Sequence, residues 1–396
     1  MMIQKKSKIE KNVGIVQIIS TAKQIINEFD LCEDCLGRLF AKNLSLTSNK
    51  LLGKRINKIL NVKPASKCYI CKNILSNLES YMDKMLEIDK EYQYSTFLVG
   101  AKLQPSITDK DDIIRSKFRL RGIDSVKTDI TKQIGKKFAK KTRKKIDYRL
   151  PDLTFTIDFK NNYCDVSVRA LIVYGRYQKK IRGIPQKQTR CPSCQGRGCF
   201  SCKFHGISEF NSVEGKISEF LFHKFGGTLA KITWIGGEEK NSLVLGNGRP
   251  FFVKLLNPNK RKSTLSKKYS LNKITITNFR VLDLIPKEPL PFLSNISISV
   301  NTEKKMGVKD LKKIQELKKI PLIVSDKGYK KARKFVYKIQ SKKNSSNSFS
   351  LKLTIDGGVP IKGLVEGKNV SPNISEILEN QCVCKEFDFH GIKLLN

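Results

Sequence analysis

Ten of the eleven cysteines stand in closely spaced groups, with only Cys164 alone, and no other feature restricts the fold as tightly. Cys32-x-x-Cys35 and Cys68-x-x-Cys71 are two pairs separated by 32 residues. A two-residue spacer lets both thiolates of a pair bite one tetrahedral ion, and two pairs close a structural site. The long span between them calls for a helix that brings the halves back together. Cys191-Pro-Ser-Cys194-Gln-Gly-Arg-Gly-Cys199-Phe-Ser-Cys202 repeats the arrangement in a tighter loop, with glycines suited to a backbone that turns around an ion. Zinc is expected, as one or two structural ions; iron–sulfur ligation stays open at the second group because thiolates alone do not select the metal. A redox role would explain only one pair and lacks thioredoxin-like surroundings. Cys382-Val-Cys384 has one residue between its thiols and reads as buried strand. Disulfides are not expected, since the N-terminus carries charge with no apolar run behind it and so no secretory signal.

Charge narrows the partners. Lysine and arginine number 76 against 36 acidic residues, a formal net charge of +40. Such an excess selects a polyanion, and nucleic acid is the natural one. A generally lysine-rich composition would not explain why acids are so scarce. No apolar run approaches the roughly 20 residues of a membrane span, so a soluble, cytoplasmic monomer is expected. At 396 residues the chain is long enough for two domains.

Residues 12–29 have apolar side chains at helical steps, and residues 127–148 form a basic helix with Ile130, Ile134 and Phe138 inside a field of lysines. Like charges so crowded destabilise a helix by a few tenths of a kcal/mol per pair. Phosphates would offset that repulsion, so Lys140, Lys141 and Lys144 are expected to grip RNA without reading its sequence. The alternating runs at 94–103, 151–159 and 166–174 complete a small α+β unit. At Gly175 the character changes to Gly, Pro, Gln, Arg and Cys. The expected division is therefore 1–172 and 173–396, with a cysteine-rich insertion at 187–206. Further on, Gly246-Asn247-Gly248 turns a hairpin, and Arg249 follows at once with a fork of donors. The Lys/Asn/Ser run 341–348 is expected to be a disordered hairpin loop.

Four stretches carry a resemblance. They are the loop and hairpin 234–258, the segment Tyr174-Gly-Arg-Tyr-Gln-Lys-Lys-Ile-Arg-Gly-Ile-Pro-Gln186, Arg333-Lys-Phe-Val-Tyr337-Lys, and Gly357-Gly-Val-Pro-Ile-Lys-Gly-Leu-Val-Glu-Gly367. Together they resemble the T-loop tRNA pseudouridine synthases of the tenth family. The resemblance implies an α+β chain: a zinc-bearing, THUMP-like tRNA-binding domain, then a pseudouridine synthase domain with a mixed, mostly antiparallel sheet. It implies an enzyme that needs no organic cofactor, and no dinucleotide or methyl-donor glycine motif follows a strand here. It places Glu239 at the catalytic carboxylate position, Tyr337 as the ring stacked on uracil, and Ile361 as a pocket wall. Lys362 or Arg249 would pair with that carboxylate. Arg176 and Tyr177 would contact RNA, aromatic ring and cation side by side. Where the family reads Arg-Glu-Asp, this chain reads Gly237-Glu238-Glu239, and Pro360 replaces a tyrosine. Those departures leave a second reading, a tRNA-binding or tRNA-folding paralogue without catalysis.

Overall fold

The computed structural model describes residues 16, 18–44, 48–286, 290–325 and 331–395. Two compact units divide the chain between Arg169 and Ala170.

In the N-terminal unit, the helices Glu33–Leu44 and Asn49–Leu60 lie against each other at two glycines. A Cβ on Gly37 would fall 1.8 Å from the Asn49 carbonyl oxygen, and one on Gly53 would fall 1.9 Å from that of Glu33. Only glycine permits this approach, and the approach folds the chain back so that Cys68 and Cys71 reach Cys32 and Cys35. Beyond them a four-stranded sheet runs in the order Lys145–Ile146, Thr96–Lys102, Leu153–Asp158, Tyr163–Val168. Its first two pairings are parallel and its last antiparallel. The basic helix, Val126–Thr142, lays Ile130, Ile134 and Phe138 on this sheet, where Phe138 meets Phe97 and Phe155 at centroid distances of 4.9 and 5.3 Å. A buried ion pair, Arg38 to Asp111 at 2.5 Å, ties the cysteine-bearing helix to the helix Pro105–Lys117. Asp111 also accepts from the Val126 amide at 2.9 Å, so its second oxygen is satisfied.

The C-terminal unit is built on a nine-stranded sheet. The order is Val336–Ser345, Ser348–Asp356, Phe292–Thr302, Cys382–Leu394, Val244–Leu255, Leu171–Lys179, Ile274–Leu282, Lys268–Leu271, with Ala230–Trp234 also pairing with Val244–Leu255. The pairing of Cys382–Leu394 with Val244–Leu255 is parallel and the others are antiparallel. Helix Val213–Phe225 contributes Val213, Ile217, Leu221 and Phe225 to the core. Helix Ile361–Glu366 packs on the strand Cys382–Leu394, where Cys382 and Cys384 are buried strand residues.

The run 341–348 is not a disordered loop. It continues the strand Val336–Ser345, turns at Ser346 and Asn347, and re-enters the sheet at Ser348. This strand is the edge of the sheet, where lysines and serines face solvent and discourage further pairing. A charged edge strand and a disordered loop share the same composition. Among the described residues no helix is long and apolar enough to cross a membrane.

Candidate active site and metal centres

Strands Leu171–Lys179 and Val244–Leu255 pair so that Tyr177 stands opposite Arg249 and Lys179 opposite Val244. Both strands are internal to the sheet and covered on both faces, so their polar side chains must find partners inside the protein. For Lys179 and Arg249 most of those partners come from the loop 235–243. Glu238 turns inward, fully buried, with Oε1 3.0 Å from Lys179 Nζ and Oε2 3.5 Å from Arg249 Nε. Lys179, also fully buried, donates to the carbonyls of Ile184 at 2.9 Å and Glu239 at 3.1 Å. Arg249 donates to the Ile235 carbonyl at 2.7 Å and lies over the Phe389 ring, 4.3 Å from its centroid. Burial pushes the Lys179 ammonium below the ordinary lysine value, and the Glu238 charge opposes that shift. Burial, followed by the same carboxylate, pushes the Tyr177 hydroxyl well above its usual range. The loop is therefore anchored from beneath by three charged groups that share one desolvated site.

Glu239, the next residue, points outward. Its carboxylate is about half exposed and meets Lys362 Nζ at 2.9 Å. The hydrogen bond to Glu239 raises the Lys362 ammonium above its ordinary value. Lys362 is the second residue of helix Ile361–Glu366, whose Ile361 is buried. Cys384 lies beside the pair: burial first, then the Glu366 charge, pushes its thiol up to about 12, with Lys362 and Glu239 also acting on it. The far end of the loop is held by Arg182, which forks onto Asp388 at 2.7 and 2.8 Å and reaches Glu386 at 3.2 Å. Asp388 in turn accepts from the Leu243 amide at 2.8 Å. At the loop's start, Gly236 has φ +75°, and a Cβ there would meet Phe292 at 2.6 Å and Arg249 Nη1 at 2.8 Å. Gly237 is open by contrast, its nearest neighbour being Gln186 Oε1 at 3.8 Å.

The structure thus pairs Glu239 with Lys362, and the buried Ile361 precedes Lys362 in the same helix. Tyr337 is half exposed, and its hydroxyl donates to Asp356 at 3.0 Å, which raises its pKa. Asp356 also accepts from the Phe335 amide at 2.8 Å, so it positions the segment that carries the ring.

Four expectations need correcting. Arg249 pairs with Glu238 rather than Glu239 and is buried, so it does not face a substrate. Arg176 and Tyr177 are buried in the sheet as well. Arg176 donates to the carbonyls of Asn247 at 2.7 Å, Gly248 at 2.8 Å and Ile392. Tyr177 packs on Trp234 and accepts from Gln186 at 3.0 Å. Neither can stack on a splayed base. Lys144 lies past the helix end, where Arg143 adopts a left-handed conformation (φ 59°) and turns the chain inward. There Lys144 pairs with Asp89 and lies 3.9 Å from the Tyr94 ring centroid. The helix's repulsion is partly offset inside the unit, by Lys137 to Glu79 at 2.9 Å and Lys141 to Asp83 at 3.9 Å. Lys136 and Lys140 remain exposed on the helix, Arg143 at its end and Lys145 on the short strand that follows.

Sequence reasoning missed the Lys179–Glu238–Arg249 cluster. Strand parity carried a signal for it, because Lys179 lies two residues beyond the buried Tyr177 and so shares its face.

The cysteines form two groups of four, Cys32, Cys35, Cys68, Cys71 and Cys191, Cys194, Cys199, Cys202, with all sulfurs of a group within 4.8 Å of one another. Adjacent sulfurs lie 3.7 Å apart for Cys32 and Cys71, 3.9 Å for Cys191 and Cys199, and 3.8 Å for Cys194 and Cys202. A tetrahedron with metal–sulfur bonds of ~2.3 Å has edges of ~3.8 Å. Either group could hold a metal ion.

Comparison with known proteins agrees with this layout. Residues 172–393 match the family described as Pus10, C-terminal, and residues 81–158 match the Pus10 THUMP domain, archaeal. These matches define the class, a THUMP domain joined to a pseudouridine synthase domain in an α+β chain. The chain belongs to the Pus10 family of tRNA pseudouridine synthases. It is 49% identical over 378 residues to the tRNA pseudouridine synthase Pus10 of Nitrosopumilus maritimus, covering 96% of this chain and 98% of the relative. The Pus10 of Cenarchaeum symbiosum is 32% identical over 362 residues, covering 91% of this chain and 89% of the relative. That of Pyrococcus furiosus is 28% identical over 403 residues, covering 94% and 97%.

Proposed function

We propose that this chain isomerises uridine to pseudouridine in the T-loop of tRNA, at position 54 or 55, with Glu239 as the reacting carboxylate. The reaction breaks a glycosidic bond, turns the freed uracil and rejoins it through carbon. It requires a base taken out of its stack and an ionised carboxylate held against it. The observation that carries this reading is the Glu239–Lys362 pair at 2.9 Å, open to solvent on a loop clamped from below and at its far end. Lys362 holds the carboxylate in place at 2.9 Å. Tyr337, set by Asp356, supplies the ring that stacks on uracil, and Ile361 walls the pocket.

The two cysteine groups hold zinc in this reading, with structural roles: each ion would cross-link its loop and contribute to folding rather than to the chemical step. The reading also includes a monomer working on tRNA in the cytoplasm.

The test is a pseudouridine map of T-arm transcripts incubated with the purified chain. Product at a T-loop uridine supports the proposal. Tight binding with no product favours the non-catalytic paralogue, for which the Glu239 and Gly237 departures are the motive.

A further inference from the structure

Phe200 is 89% exposed, the highest exposure of any large apolar side chain among the described residues. Left in water, such a ring forgoes roughly 1.5–3 kcal/mol of burial. The backbone that carries it is tied down on several sides. Phe200 opens the short turn Phe200–Cys202, between two members of the second cysteine group. The amides of Cys199 and Gly206 both donate to Cys202 Sγ at 3.3 Å, and that of Gly198 donates to Cys194 Sγ at 3.2 Å. The Lys203 amide closes onto the Phe200 carbonyl at 2.9 Å, and that of Phe204 onto Cys199 at 2.8 Å. Lys203 and Phe204 both take left-handed conformations, φ 50° and 62°, and both stay exposed.

The surroundings are cationic. No acidic residue occurs from Gln186 to Ser208, while Lys187, Arg190, Arg197 and Lys203 all do. A four-thiolate zinc centre carries two negative charges, which leaves this segment with a net charge of +2. Lys187, Arg190, Arg197, Lys231 and Trp234 line one cleft of about 430 Å³, whose one carboxylate, Glu214, interacts with Lys187 and Arg190.

We propose that Phe200, flanked by Lys203, is a stacking platform for one unpaired base of an RNA substrate, and that the neighbouring cations hold the adjoining phosphates. An exposed ring on a tied-down turn beside cations suits an unpaired nucleotide, and stacking tolerates any base because every base has a π-face. The role expected at Tyr177 and Arg176 is filled by this turn instead. The proposal rests on the reading that RNA is the partner, but not on catalysis.

The test uses the full chain with its metal, and measures affinity for a tRNA transcript and for a duplex RNA of equal charge. Phe200→Ala is expected to weaken tRNA binding about 5- to 150-fold, the loss of one stacked base. It should leave duplex binding, metal content and the salt dependence of affinity unchanged, since stacking releases no counterions. Phe200→Trp should bind as tightly as the unmodified chain or tighter. Unchanged tRNA affinity in Phe200→Ala with metal intact overturns the proposal, as does a loss that appears equally on duplex RNA or in Phe200→Trp. If Phe200→Ala abolishes self-association and leaves RNA affinity alone, the ring serves a protein contact and the proposal fails. Binding without product in the unmodified chain counts against the catalytic reading alone.

Discussion

Lys179→Met replaces a buried ammonium with an apolar side chain of similar length. The change leaves Glu238 buried with only Arg249, at 3.5 Å, as a counter-charge. It also removes the donor that holds the carbonyls of Ile184 and Glu239 at 2.9 and 3.1 Å. Removing one partner of a buried pair costs ~3–5 kcal/mol. Arg249 retains part of the compensation, which points to the lower end, and each orphaned carbonyl adds ~1 kcal/mol. We expect the C-terminal unit to lose ~3–5 kcal/mol. Trp234, the single tryptophan of the chain, reports this unit directly, because it sits edge-on to Tyr177 at a centroid distance of 5.8 Å. Its fluorescence through a denaturant titration follows the C-terminal transition separately from the rest of a two-unit chain. Adding Glu238→Gln should bring no recovery, since it leaves the buried Arg249 guanidinium without a carboxylate partner, and the two sites couple. A loss below ~1 kcal/mol in Lys179→Met, or full recovery in the double variant, would refute the view that this cluster anchors the loop.

Three further outcomes are expected. Cys68→Ser and Cys194→Ser should each lower bound zinc by about one ion per chain, because a structural site that loses a thiolate loses binding and folding energy together; unchanged stoichiometry by metal analysis would rule out that group. Changing Lys136, Lys140 and Arg143 together to Gln should flatten log affinity against log salt by about 0.9 for each phosphate no longer neutralised, whereas Lys144→Gln should lower stability and leave the slope in place. The folded state raises the Lys362 ammonium above its unfolded value, so the ion pair is fully present below ~10.4 and is lost as pH rises through the higher folded value. Activity should therefore not decline through Lys362 in neutral or mildly alkaline buffer, and a pH–rate profile for Lys362→Gln should differ from that of the unmodified chain across that whole plateau.

The cysteine groups were legible because metal ligation is written in local spacing: a pair separated by two residues reaches one ion whatever surrounds it. The strands flanking the site were legible as strands, but not in which side chains they bury. Arg176, Tyr177 and Lys179 sit on a strand with neighbours on both edges and cover on both faces, so polar residues go inside without breaking any local pattern. Glu238 and Glu239 are chemically alike and adjacent in an irregular loop, where no periodicity tells neighbours apart, yet one becomes an anchor while the other reaches solvent. Lys144 misled for another reason. Its partner Asp89 lies 55 residues away on a separate helix, and helical charge patterning holds no record of such a pairing.

Glu239 can be isolated from its neighbour by one comparison. Pseudouridine formed in a T-arm transcript would be quantified for the unmodified chain, Glu239→Gln, Glu239→Asp and Glu238→Gln, with tRNA affinity measured in parallel. Glu239→Gln should abolish product while leaving affinity within a few-fold, because the carboxylate acts in the chemical step rather than in grip. Glu239→Asp should keep activity if the loop can absorb a shift of one methylene, and Glu238→Gln should act through the stability of the loop. Equal rates of pseudouridine formation by the unmodified chain and Glu239→Gln would contradict the assignment of Glu239 as the reacting carboxylate.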